Sequence, residues 1–193
     1  MSYEKAVFIK QFPATRRFVY HLASYRKLFE ASHKYKFDKE PFWVITIDAH
    51  LLQSSIIWCM VFGADNTSDI HWKKLSKDNP DEFQKGFRDG LIADLKITWD
   101  EWTKYWQEMV DFRNGFAAHM DLAYEGKNVP HFDIALKASY YYDSWVRKII
   151  NPDTTQEPRL NYRYDEFSEI VTKTTENLFN KNEPKTPLLK RNT

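Results

Sequence analysis

Apolar side chains recur at intervals of three and four through most of the chain, and strand-like alternation is scarce, so the pattern predicts an all-α protein. Phe18, Leu22, Tyr25 and Phe29 carry that spacing through a first helix over about 14–35, with Pro13 in front of it as a start signal. A second helix is predicted over 41–62, opened by Pro41 and stopped by Gly63. From Val44 to Phe62 it is apolar on more than one face, which makes it the central helix. The stretch 63–78 is polar, with Asp65-Asn66-Thr67-Ser68 as a turn, and Asn79-Pro80-Asp81-Glu82 leads into a short surface helix. Thr98 and Glu101 have the spacing of a capping box, in which hydroxyl and carboxylate each satisfy a free amide. They open a long helix over 98–124, closed by Gly126 and Pro130. Two further helices are predicted over 132–149 and 164–180, separated by a loop that begins Asn151-Pro152-Asp153.

These lengths suit an antiparallel bundle of four to five main helices with a short inserted helical segment. No internal repeat or linker is evident, so residues 1–181 are expected to form one domain. Residues 182–193 hold two prolines and no periodic apolar face, and are expected to be a disordered tail.

Composition narrows the choice of chemistry. A chain of 193 residues can bury a full core without staples, and its single cysteine, Cys59, lies in the apolar run Ile56-Ile57-Trp58-Cys59-Met60-Val61-Phe62, where it reads as a small buried hydrophobe. The 28 Lys and Arg nearly cancel the 27 Asp and Glu, so any nucleic-acid contact must be local or transient. Glycine is too sparse for phosphate loops, and no GxxxxGK[ST] or GxGxxG string occurs. His50 and His71 lack companions at metal spacing, so no metal and no cofactor are expected. The opening residues Met1-Ser2-Tyr3-Glu4-Lys5 lack a signal core and the apolar runs are interrupted by polar residues, so the chain is expected to be cytoplasmic with no membrane contact.

One residue breaks the local rule. Wound at ~100° per residue, the predicted 98–124 helix puts Trp102, Tyr105, Trp106, Met109, Phe112, Phe116, Met120 and Ala123 on one apolar arc, and Arg113 falls inside it. A guanidinium cannot shed its charge, so among aromatic groups it needs an anion, a hydrogen-bonding partner or a wet cleft. His119 stands at the edge of the same arc, about 9 Å further along the axis. Arg16 with His21, and Arg26 with His33, have similar spacing, but Arg17 and Lys27 around them suggest a solvated basic face. Tyr140-Tyr141-Tyr142, Trp145 and Arg147 at helical spacing read as core and rim more than as a base-stacking platform, and His71-Trp72-Lys73-Lys74 as a solvated basic turn more than as a phosphate contact.

The string Asp111-Phe112-Arg113-Asn114-Gly115-Phe116-Ala117-Ala118-His119 resembles the signature of the HEPN superfamily, in which Arg and a following polar residue precede a His on a bundle helix. Trp102, Tyr105-Trp106, Phe62-Gly63-Ala64-Asp65 and His71-Trp72-Lys73-Lys74-Leu75 are similar to the branch associated with abortive phage infection. The likeness spans about 41–125. It implies a metal-independent endoribonuclease acting in phage defence or as a toxin. RNA would be its transient substrate, a homodimer its working form, and an antitoxin or regulatory protein its restraint. In that reading His119 is base for the 2′-hydroxyl and acid for the leaving 5′-oxygen, Arg113 stabilises the phosphorane, and Asn114 orients one of these groups. Two alternatives stay open: Arg113 as a structural ion-pair partner, with Asp48 a candidate, and a non-catalytic module that grips a nucleotide or a protein in the same cleft.

Overall fold

The computed structural model describes residues 3–76, 78–118, 129–150 and 156–180, and among them the regular structure is all helix, with no strand. Six α-helices follow in order: α1 (Lys5–Tyr35), α2 (Pro41–Phe62), α3 (Pro80–Leu95), α4 (Trp99–Phe112), α5 (Asp133–Ile150) and α6 (Leu160–Asn180). A 3₁₀ turn, Trp72–Leu75, precedes α3, and a π-helical turn, Arg113–Ala118, follows α4. The expected loop at 151–153, the tail 182–193, and the continuation of the fourth helix through Met120, Ala123 and Gly126 lie outside the described residues.

Neighbours in sequence pair as hairpins. His21 meets His50 and Phe37 meets Trp43 across α1 and α2, so these two run antiparallel. Tyr20 stacks on Phe167 and Tyr35 on Phe179, so α6 runs parallel to α1, having reversed direction against α5. The main core lies where α1, α2, α4 and α5 converge, around Phe18, Leu22, Trp58, Phe62, Met109 and Tyr142. A smaller cluster of Leu28, Ala31, Phe37 and Ile47 closes the far end of α1.

Two element starts and one helix length differ from the periodic reading, each for a tertiary reason. Helix α1 starts at Lys5 rather than near 14, with Pro13 in its interior. An interior proline leaves the carbonyl four residues back without its donor; here that residue is Ile9, 57% exposed, so water can satisfy the group. The first turns are held instead by the Glu4 amide on the Leu75 carbonyl at 2.8 Å and by the aromatic run Tyr3, Phe8 and Phe12. Helix α6 starts at Leu160 rather than 164 because Asp143 of α5 accepts from the Leu160 amide at 3.4 Å, a cap supplied by another helix. The segment beginning at Pro80 is a full 16-residue helix, held by Phe83, Phe87 and Leu91 in the core.

By length and composition alone α2 could cross a membrane, contrary to the reading of its apolar runs as too short. In the bundle its inner face packs against α1 and α4 through Leu51, Ile57, Trp58 and Val61, while Phe42, Ile45 and Met60 stay exposed, so it is not enclosed on all sides as a central helix would be. Cys59 is buried within it, its thiol pushed up to about 12 by burial while the charge of Arg113 opposes.

Candidate functional site

The capping box forms as the spacing requires. Glu101 donates its amide to Thr98 Oγ1 at 3.2 Å, and the Thr98 amide donates to Glu101 Oε2 at 2.7 Å. From that start Trp102, Tyr105, Met109 and Phe112 turn into the core and fix the rotation of α4. Helical register would then carry Arg113 into the same packing, but the α-helix ends at Phe112. The i→i+5 turn over Arg113–Ala118 widens the backbone, a distortion common at functional sites. Arg113 itself keeps α geometry, its amide donating to the Met109 and Val110 carbonyls, and register slips only beyond it. Phe116, expected on the apolar arc, is 42% exposed, and Arg113 is half-buried rather than enclosed.

Arg113 and Asn114 are brought together: Nη1 donates to Asn114 Oδ1 at 2.6 Å. Its Nε is buried without a partner. No ion pair to Arg113 occurs among the described residues, and Asp48 is exposed on α2, so the Asp48 pairing is not made. His119 lies outside the described residues.

Arg113 opens onto a groove of about 560 Å³ between the amino-terminal half of α1, the outer face of α2 and the loop after it. Lys10, Pro13 and Arg17 form one wall, Ile56 and Met60 the second, and Thr67, Ser68 and Asp69 the third. Lys74 engages Asp69 at 3.3 Å, whereas Lys10 and Arg17 have no ion pair among the described residues. The groove thus carries three cations against one carboxylate that is already bound. Such a surface attracts anions at short range although the whole chain is near neutral.

A histidine pair missed by the sequence reading lies on the same seam. His21 Nδ1 is 2.9 Å from His50 Nδ1, with ring centroids 5.1 Å apart. Burial lowers both imidazoles; for His21 the charge of His50 and then of Arg17 add to it. His21 is one turn, about 6 Å, beyond Arg17 on α1. The two residues are 29 apart in sequence, so no spacing rule exposes the contact.

Other expectations resolve into structure. The supposed basic face of α1 is used for tertiary ties: Arg16 pairs with Glu157 at 3.2 Å, and Arg26 with Asp133 at 2.5 Å. Tyr142 is fully buried and Arg147 nearly so, its Nε donating to Asp143 at 3.0 Å, as core placement requires. His71 and Trp72 are buried rather than solvated, and Lys73 pairs with Asp65 at 2.7 Å. Among the described residues no group of three His, Cys, Asp or Glu side chains is arranged to hold a metal ion. No family model matches the chain, and no curated protein or solved structure matches it.

Proposed function

We propose that the chain is a metal-independent endoribonuclease of the HEPN type, acting in phage defence or as a toxin, with Arg113, Asn114 and His119 as its catalytic residues. The observation that carries the reading is Arg113 itself: a guanidinium with a buried, unpartnered Nε, at the start of the π turn, in a groove it shares with Lys10 and Arg17. A permanent cation with no ion pair among the described residues is suited to an anionic ligand that comes and goes.

The chemistry follows from what each group can donate. His119 takes the proton of the 2′-hydroxyl as that oxygen attacks the adjacent phosphorus. Negative charge builds on the non-bridging oxygens, and Arg113 meets it with its planar fork of donors. Asn114 accepts from Nη1 and so aims that fork without neutralising it. The P–O5′ bond breaks and the leaving oxygen takes a proton, giving a 2′,3′-cyclic phosphate and a 5′-hydroxyl. A homodimer would bring a second histidine to the cleft, so that one acts as base and the other as acid, and an antitoxin or regulatory protein would restrain the enzyme until it is needed.

The test is cleavage of total cellular RNA in excess chelator by wild type, Arg113→Ala and His119→Ala of matched folding. Cyclic-phosphate ends formed by wild type and lost in both variants support the proposal; cleavage undiminished in either variant refutes it. A second reading uses the same geometry, because Asn114 aims the guanidinium for binding as well as for catalysis. A non-catalytic module gripping a nucleotide or a protein there predicts that expression in a bacterial host is indifferent to His119→Ala, whereas the nuclease predicts toxicity that this change abolishes.

A further inference from the structure

Helices α1 and α2 leave a seam between them on the outside of the bundle. On α1 the line Lys10, Pro13, Arg17, His21, Tyr25 and Phe29 advances by three or four residues at each step, and none of these side chains is fully buried. On α2 the line Phe42, Ile45, Ala49, Gln53, Ile56 and Met60 does the same over about 27 Å, again with none fully buried. The helices run antiparallel, and the 2.9 Å contact of His21 with His50 ties them part-way along, so the two lines flank one seam. Its first end is the Arg113 groove, which Lys10, Pro13, Arg17, Ile56 and Met60 already line.

The two ends differ in chemistry. Around the groove stand Lys10, Arg17 and Arg113, with Asp69 already taken by Lys74 at 3.3 Å. At the far end Phe29, Phe42 and Ile45 are 49%, 68% and 68% exposed, and α2 has no Lys or Arg, its one carboxylate being Asp48. An exposed apolar stripe of this kind marks an interaction surface. A phosphodiester strand would use the cations and leave the apolar end bare. A second copy docked through the same seam about a two-fold axis would set the cationic end of one chain on the apolar end of the other, which compensates neither. An amphipathic helix uses both ends: its apolar ridge at i, i+3, i+4 and i+7 lies along the α2 line, and its carboxylates meet the cations. About 18 residues span the seam.

We propose that the α1–α2 seam docks an acidic amphipathic helix of a partner protein, apolar where it meets Phe42, Ile45 and Met60 and anionic where it meets Lys10, Arg17 and Arg113. The interaction stands whether or not the groove cleaves RNA. Where it does, the partner's carboxylates occupy the cations that the phosphate needs, so docking is inhibition. That consequence rests on the nuclease reading; the binding does not.

Fluorescence anisotropy tests it on the full chain with three labelled synthetic peptides of about 18 residues: leucines at helical spacing flanked by glutamates, the same with lysine for glutamate, and the same with serine for leucine. Saturable binding of the glutamate–leucine peptide is expected, with the other two each at least about tenfold weaker. Arg17→Glu and Ile45→Glu should each weaken it by about tenfold or more, and Arg88→Gln, on α3 outside the seam, should leave it unchanged. Arg17 and Ile45 are exposed, thermal melts establish that the variants are folded, and the peptide comparison on wild type stands without them. Failure of the glutamate–leucine peptide to bind wild type overturns the proposal. So does equal binding of the lysine peptide, which would be apolar adhesion alone, or of the serine peptide, which would be charge alone. Light scattering of the free chain adds one more refutation: a dimer that Ile45→Glu dissolves would give the stripe to a second copy. A chain that binds the peptide but cuts no RNA sinks the nuclease reading and keeps this one.

Discussion

His71 makes the stability of this protein depend on pH in a way that can be worked out from its surroundings. The ring is 1% exposed and lies between two backbone groups, the Gly63 carbonyl at Nε2 and the Lys73 amide at Nδ1. Both contacts are satisfied by one neutral tautomer, protonated on Nε2. A second proton on Nδ1 would turn its acceptor into a donor facing the Lys73 amide, release the cap of the 3₁₀ turn, and leave a buried charge beside Lys73 and Lys74. Burial first, then the charge of Lys73, push the imidazole down from 6.5 to about 4, with Asp65 and the Gly63 contact opposing. The unfolded chain takes up a proton near 6.5 that the folded chain refuses until about 4. The contribution of His71 is therefore whole above 6.5 and falls away as pH drops toward 4.

A shift of that size corresponds to about 3 kcal/mol in all, of which about 2.5 kcal/mol is lost by about pH 4.5. That is a large share of the ~5–15 kcal/mol by which domains are stable. The assay is urea unfolding of wild type and His71→Gln at about pH 7 and about pH 4.5. Glutamine can still donate to the Gly63 carbonyl but has nothing to titrate. The variant should be the less stable at neutral pH, and its deficit should shrink by about 2.5 kcal/mol at the lower pH. His21 and His50, both lowered, have no contact with His71 and cancel from the difference, while Asp65, held down chiefly by Lys73 and only in small part by His71, leaves a minor contribution in it. A deficit that stays constant between the two pH values would refute the reasoning.

Other sites give sharper single readouts. Cys59, 5% exposed with its thiol pushed up to about 12, should resist iodoacetamide in the native protein and react once denatured; labelling of the folded chain at the rate of a free thiol would contradict its burial. Tyr142→Phe removes the hydroxyl that donates to Gln11 Oε1 in a fully buried pair, and should cost about 1–3 kcal/mol in denaturant unfolding because the carbonyl keeps no donor in its place. Lys96 ends α3 at φ 56°, a left-handed conformation without glycine, so Lys96→Gly should stabilise by about 0.5–1 kcal/mol. An unchanged or lowered melting temperature would argue that the lysine stem contributes contacts there.

What was legible in the sequence, and what was not, divides along the reach of the interactions. Helix α2 begins and ends where Pro41 and Gly63 require: a Cβ on Gly63 would come within 2.5 Å of the Cys59 carbonyl, so the stop is written in one residue. The start of α4 is equally local, because Thr98 and Glu101 complete the box between themselves. The first turns of α1 were illegible because they depend on Leu75, and the first turn of α6 because its cap comes from Asp143. Arg113 was found because it violated an apolar arc, a signal that survives even though the arc itself breaks beyond Arg113. The groove it faces had no such signal: Lys10 and Arg17 look like ordinary surface cations until α1 is known to extend through Pro13.

The same division connects two cavities. The chain from Gly63 to Lys73 leaves α2 and returns as the 3₁₀ turn; Asp65, His71 and Lys73 line a second cavity, of about 350 Å³, between the end of α2, α3 and α4, while Thr67, Ser68 and Asp69 line the Arg113 groove. Its two ends are tied by His71 on Gly63 and by Lys73 on Asp65. A ligand that presses on Trp72 or Lys73 therefore acts on a segment that also forms a wall of the groove. An anion held at Arg113 likewise presses on a segment that also walls the second cavity, and the ties through His71 and Lys73 set how far that segment can yield.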